Sequence, residues 1–337
     1  MSDHFIKNIE IKNFKCFEDF KAEGFGRVNL IGGKNNVGKT AFMEALSTNV
    51  YSYNLGYFVV ALVQFKNRRN RLNHLEAYIN NSQMTFRERF INTPLKDTKR
   101  LEIKTNIKEI VFFPKNENGI LKYLFKIDND EYDFNIDDTP FIKGSGNIIF
   151  IGTSGLEYGK IISYFASIQK IDQEDFLDKS LQIIDENITK FKILEEIPYC
   201  KVGTEYLELI ELGDGVKQFI SIILSLYQAK DGYLFIDEVG NGIHHSTLNK
   251  LWNIILTIAK EQNVQVFATT HSKECIKALV TANTEDVNTY QPKEQILDND
   301  EIKFIELGRT DGKIDSIVFD FDELKNEVEQ NMEIRGW

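Results

Sequence analysis

The chain has 337 residues, of which 42% are hydrophobic and 27% charged, a balance that suits one large soluble domain or two and can bury a sizeable core. A formal net charge of −11 excludes a surface coated in Lys and Arg for nucleic acid, though it leaves room for a local basic patch. Cys16, Cys200 and Cys275 are scattered without metal spacing, Met1-Ser2-Asp3-His4 carries no leader-like apolar region, and the longest apolar run, Tyr57 to Val63, is too short to span a bilayer. A soluble cytoplasmic protein in a reducing setting, with no membrane partner, is expected.

Residues 5–31 read as strands, with Phe5, Ile9 and Ile11 on one face and a second strand around Phe17 to Ala22. Val28-Asn29-Leu30-Ile31 is a short buried strand. It runs into Gly33-Lys34-Asn35-Asn36-Val37-Gly38-Lys39-Thr40, which fits G-x-x-x-x-G-K-[ST], the phosphate-cradling P-loop. Glycines let backbone N–H groups converge on a phosphate, Lys39 reaches the β- and γ-phosphates, and the Thr40 hydroxyl can bind Mg²⁺. The helix opening at Thr40 points its N-terminal dipole at the anion.

Residues 57–92 read as helical and become basic, with Lys66, Arg68, Arg69 and Arg71, then Arg87 and Arg89. Short strands follow at 101–103, 110–113 and 121–127, and Ile148-Ile149-Phe150-Ile151 is another. Leu177, Leu181, Ile184, Ile188 and Phe191 fall on one stripe of an acidic helix. Beyond it strand and helix alternate. Val216, Phe219, Ile220 and Ile223 mark a helical face, Tyr233-Leu234-Phe235-Ile236 is a continuous apolar strand, and Leu248 to Ile255 forms a helix with Ser246 as its N-cap. Val264 to Thr269 is the next buried strand. Thr310-Asp311-Gly312-Lys313 turns a hairpin between 302–307 and 314–319.

Three further motifs carry chemistry. The apolar strand 233–236 ends in Asp237-Glu238, where one carboxylate can hold the Mg²⁺ shell and the second can deprotonate an attacking water. The strand ending at Thr269 runs into Thr270-His271-Ser272, which sets His271 for a γ-phosphate contact. Leu212-Gly213-Asp214-Gly215 opens a helix with two glycines, an arrangement suited to an anion.

Together with Asn35-Asn36, Asn241-Gly242-Ile243-His244 and the opening Ile9 to Lys15, this set resembles an ABC-type ATPase of the SMC, RecF and especially OLD (overcoming lysogenisation defect) group. The likeness covers 5–50 and 200–275 well, and the middle only in layout. It implies an α/β fold, a P-loop NTPase head whose mixed sheet is flanked by helices. The layout would be an N-terminal lobe at 1–50, an inserted helical and β-rich region at 51–195, and a C-terminal lobe at 196–337. ATP and Mg²⁺ would be the cofactors. Asn35 to Ala41 (Asn35, Asn36, Val37, Gly38, Lys39, Thr40, Ala41) would surround the phosphates, with Thr40 and Asp237 on the metal. Catalysis would fall to Glu238 as general base, His271 as γ-phosphate sensor and Lys39. Gly213-Asp214-Gly215 would act on the nucleotide of a second copy, giving a homodimer or higher homo-oligomer.

Gly213 replaces the signature serine of such ATPases, Gly240 stands where relatives often carry an acid, and Gln64 lies inside a helical segment rather than in a Q-loop. The sixty or so residues after His271 leave no room for the TOPRIM nuclease domain of OLD proteins. The resemblance therefore implies an ATPase that regulates a separate effector, a TOPRIM-type nuclease being one candidate, in phage defence or DNA maintenance. The alternative is a RecF-like ATPase that binds DNA through 66–71 and 87–89. A GTPase lacks support, because Asn249-Lys250 is followed by Leu251-Trp252 rather than completing N-K-x-D. Arg335 and Trp337 in the tail suit a docking anchor.

Overall fold

The computed structural model describes residues 3–69, 100–117, 120–134, 147–286 and 293–330. The chain runs β1 (Asn8–Phe14), β2 (Phe17–Glu23), β3 (Val28–Gly33), α1 (Lys39–Tyr51), α2 (Leu55–Arg69), β4 (Leu101–Thr105), β5 (Glu109–Glu117), β6 (Ile120–Ile127), β7 (Asp130–Phe134) and β8 (Ile148–Ile151). It continues through α3 (Tyr158–Gln169), α4 (Glu174–Ile184), β9 (Ile188–Leu194), β10 (Ile197–Val202), β11 (Glu205–Glu208), α5 (Asp214–Gln228) and β12 (Tyr233–Ile236). α6 (Leu248–Glu261), β13 (Gln265–Thr269), α7 (Lys273–Thr284), β14 (Ile302–Thr310), β15 (Lys313–Phe319) and α8 (Phe321–Glu329) complete it.

The core is a six-stranded sheet in the order β15-β14-β3-β13-β12-β8. Every pairing in it is parallel except that of β15, which returns antiparallel through the hairpin. Strands buried on both faces need apolar residues at every position, and β3, β12 and β13 are buried throughout. Their period-2 alternation divides the interior in two. Leu30, Leu234, Ile236, Val266 and Ala268 join the core built with Phe219 of α5 and Trp252 of α6. Ile31, Phe235 and Phe267 point the other way, into a core with Phe42 of α1 and the apolar face of a second sheet.

That second sheet is antiparallel, in the order β2-β1-β4-β5-β6-β7. The strands expected inside an insertion at 51–195 therefore extend the sheet begun by β1 and β2, Ile9 pairing with both Ala22 and Thr105. β8, also from that stretch, forms the far edge of the core sheet, Ile148 beside Tyr233. A small sheet β11-β10-β9 leads into α5.

Two expectations need correction. The stripe from Leu177 to Phe191 is not one helix: α4 ends at Ile184, and Ile188 and Phe191 belong to β9. Asp185 Oδ1 accepts the Asn187 N–H at 2.9 Å, a side-chain turn that competes with the helix, and the Phe191 N–H then donates to Asp178 Oδ1 at 2.7 Å. Ser246 does not cap α6. It lies in a 3₁₀ turn, His245–Thr247, with its hydroxyl 2.8 Å from His244 Nδ1, and α6 begins at Leu248. The hairpin is where the sequence puts it, with Asp311 at φ 52° and Gly312 at φ 81°, the left-handed pair that a tight turn needs. Lys66, Arg68 and Arg69 fall in α2, whereas Arg71, Arg87, Arg89 and the tail Met332 to Trp337 lie outside the described residues. Among the described residues no helix is long and apolar enough to cross a membrane.

Candidate functional site

Because β3, β13, β12 and β8 are parallel, their C-terminal tips lie along one edge of the sheet. The P-loop leaves β3 there. Gly33 has φ 141°, and a Cβ on it would stand 2.5 Å from the Leu307 carbonyl oxygen. Gly38 has φ 116° as the N-cap of α1, where a Cβ would meet Cys16 Sγ at 3.0 Å and Ile314 Cδ1 at 3.2 Å. The loop thus threads between the β1–β2 turn and the β14–β15 hairpin, with no space for a side chain at Gly33 and a tight, left-handed position at Gly38. Asn35 and Asn36 are exposed on it, and Asn36 is left-handed at φ 61°. Val37 and Ala41 bury their side chains in the Phe42 core, so toward a ligand they offer backbone. Lys39 Nζ donates to the carbonyls of Gly33 at 2.8 Å and Lys34 at 3.2 Å, which curls the ammonium over the loop. Burial lowers its pKa, against the opposing pull of Glu238 and Asp237.

At the tip of β12, Asp237 accepts from Thr40 Oγ1 at 3.2 Å and from Thr269 Oγ1 at 2.8 Å. Burial pushes its carboxyl above the ordinary value, and the two hydroxyls pull the other way. Thr40 and Asp237 offer oxygen donors alone, the set that Mg²⁺ takes, and could hold that ion beside bound phosphates. Among the described residues no cluster of three or more His, Cys, Asp or Glu is arranged to hold a metal unaided, so the phosphates would supply the remaining ligands.

Glu238 follows in left-handed backbone, φ 53°. Its N–H donates to Thr269 Oγ1 at 2.8 Å, and its Oε2 lies 2.8 Å from His271 Nδ1. Thr269 therefore holds both acidic residues at once, a role that sequence reasoning did not assign to it. Its only advance signal was a β-branched hydroxyl at the end of an apolar strand. A cleft of about 500 Å³ lined by Glu238, Asn241, His245, His271, Ser272 and Glu274 opens beside the pair.

Comparison with known proteins bears on the fold and on the activity. Residues 157–276, from α3 into α7, match a family model described as an AAA ATPase domain. An ATP/GTP phosphatase of Helicobacter pylori is 23% identical over 341 residues, covering 86% of this chain and 91% of its own. A solved SMC head bound to the C-winged helix domain of ScpA superposes with TM-score 0.52 at 12% identity, over 94% of this chain and 99% of that one. The SMC head domain from Thermotoga maritima covers 93% of this chain and 98% of its own, at 14% identity and TM-score 0.45. The chain is a P-loop ATPase with an SMC-type head fold.

The ATPase presents its third motif at the start of α5. Gly213, at φ 83°, is the N-cap of this 15-residue helix, and both Gly213 and Asp214 are exposed. Gly215 is pressed against the loop after Glu238, since a Cβ there would lie 2.2 Å from the Gly242 carbonyl oxygen. The turn at 213–215 is thus in direct backbone contact with the loop that follows the acidic pair.

Proposed function

We propose that this ATPase binds ATP·Mg²⁺ between two copies of the chain, hydrolyses it, and uses the resulting assembly and release to regulate a separate effector protein in the cytoplasm. Asn35 to Ala41 would wrap the phosphates of one copy, Thr40 and Asp237 the metal. Glu238 would deprotonate the attacking water, with His271 holding it and facing the γ-phosphate. The carrying observation is the exposed helix end at Gly213-Asp214-Gly215. A helix N-terminus whose first residues, Gly213 and Asp214, are open to solvent is suited to a phosphate brought by another copy. A solved head of this fold is itself bound to a domain of another protein, which supports partner docking as a use of the fold. The OLD resemblance points to a TOPRIM-type nuclease as the effector, in phage defence or DNA maintenance.

The test is size-exclusion chromatography with ATP hydrolysis for wild type, Lys39→Ala and Glu238→Gln. Wild type is expected to hydrolyse ATP and assemble transiently. Glu238→Gln should lose about 10²–10⁴-fold in turnover, the usual worth of a general base, while accumulating the ATP-bound assembly. Lys39→Ala should do neither. Identical elution of all three with and without ATP would sink the two-copy reading.

A further inference from the structure

Glu238 occupies left-handed backbone that a long side chain rarely adopts unaided, so its surroundings must hold it there. One restraint is Thr269. The other runs through Asn241, whose N–H donates to the Glu238 carbonyl at 2.9 Å while its Nδ2 donates to the Thr153 carbonyl at 2.9 Å. Thr153 lies in a turn at the tip of β8, closed by the Gly155 N–H on the Gly152 carbonyl at 3.1 Å. The same turn is fastened to α5: the Leu156 N–H donates to Ser221 Oγ at 2.9 Å, and Ser221 Oγ donates onward to the Lys217 carbonyl at 2.7 Å. Gly155, at φ 73°, lets the turn approach so closely that a Cβ would stand 2.8 Å from Ser221 Oγ.

The 238–241 loop, the 152–156 turn and the first turns of α5 therefore form a closed circuit, completed by Gly215 against Gly242. Within it Gln218 is 1% exposed, yet both its amide atoms lack a hydrogen-bond partner. A buried amide without a partner is costly, and this one lies where the turn packs on the helix, 3.3 Å from the position a Cβ on Gly155 would take.

We propose that Asn241 is a positioning residue for Glu238, and that through Thr153 and the 152–156 turn it couples the acidic loop to α5. Engagement of Gly213-Asp214-Gly215 by a second copy's nucleotide then resets the Glu238 carboxylate. This rests on the two-copy reading above. Asn241 touches neither ATP nor water in this scheme; it acts by holding the loop.

The experiment uses the full chain with Asn241→Asp, which keeps the shape but removes the Nδ2 donor, and Ser221→Ala, which cuts the circuit at its far end with a helix-favouring residue. Each is expected to lower kcat about tenfold with KM for ATP within about twofold of wild type, the split that separates positioning from binding. The double variant should be no worse than the weaker single, since both cuts lie in series. Hydrogen exchange with a non-hydrolysable ATP analogue should show slowing at 33–40 in all proteins, but at 213–221 in wild type alone. P-loop protection with wild-type kcat in both singles, or independent additive losses in the double, overturns the coupling and leaves the two-copy reading standing. No P-loop protection in wild type overturns both.

Discussion

Asp237 sits where burial raises its pKa, and only two threonine hydroxyls oppose that. In the nucleotide-free protein the charged carboxylate is thus a local liability, kept for the metal it would hold. The sign follows from linkage. For a carboxyl whose folded pKa is raised, the penalty is fully present above that pKa and is relieved as pH falls toward the ordinary value. Asp237→Asn keeps an acceptor for Thr40 and Thr269 and removes the charge. The nucleotide-free variant should melt about 1–2 °C above wild type at pH 7.5, equivalent to roughly 1 kcal/mol in a chain of this size, and the gap should narrow as the pH is lowered toward the ordinary carboxylate range. Mg²⁺-dependent hydrolysis should fall by about 10²-fold or more. A variant that melts lower than wild type at neutral pH would show that the carboxylate is already well solvated.

At the scale of elements, the turn at 213–215 and the acidic loop meet backbone to backbone, and the two glycines there face different neighbours. A methyl group on Gly215 would meet the Gly242 carbonyl at 2.2 Å, which cannot yield without moving α5 or the loop. One on Gly240 would meet the end of the Leu248 side chain at 3.2 Å, which can rotate away. Gly215→Ala should therefore cost about 1–3 kcal/mol by overpacking, and Gly240→Ala under about 1 kcal/mol, both read by urea denaturation. Equal losses would mean that the loop, not the helix contact, sets the cost.

The same scale shows what was legible beforehand. The P-loop, Asp237-Glu238 and the Asp311-Gly312 hairpin announce themselves because a strand, a turn residue and a helix start are local signals. The α4–β9 break was hidden because the apolar residues of β9 happened to continue a helical stripe. Thr269 and the Asn241–Thr153 bond were invisible for another reason: each joins residues more than 30 positions apart through a backbone atom or a hydroxyl, which no spacing encodes. Likewise the strands at 101–105, 109–117 and 120–127 read correctly one by one, but β7 at 130–134 went unread, and nothing in any of them declared that they would extend the β1–β2 sheet.

For the whole molecule, the core sheet is a partition with an apolar interior on each face, and every central strand contributes to both. Leu234 and Ile236 pack toward Trp252, while Phe235 between them stacks on Phe267, ring centroids 5.6 Å apart, on the other side. Neither interior can be lost without stripping alternate residues of β12 and β13 from their partners, so the two should unfold as one unit. Trp252 reports on one face alone, with its Nε1 bonded to the Cys275 carbonyl at 3.0 Å, once the other tryptophan is removed as Trp337→Phe. In that background, Phe235→Ala empties space on the opposite face and should cost about 3–5 kcal/mol. The urea midpoint should then shift equally whether followed by Trp252 fluorescence or by far-UV circular dichroism, with an unchanged slope. If the dichroism midpoint falls while the Trp252 midpoint holds, the two interiors are separate cooperative units. The sheet would then be a boundary between them, and the P-loop and α5, which belong to opposite faces, would not share one rigid frame.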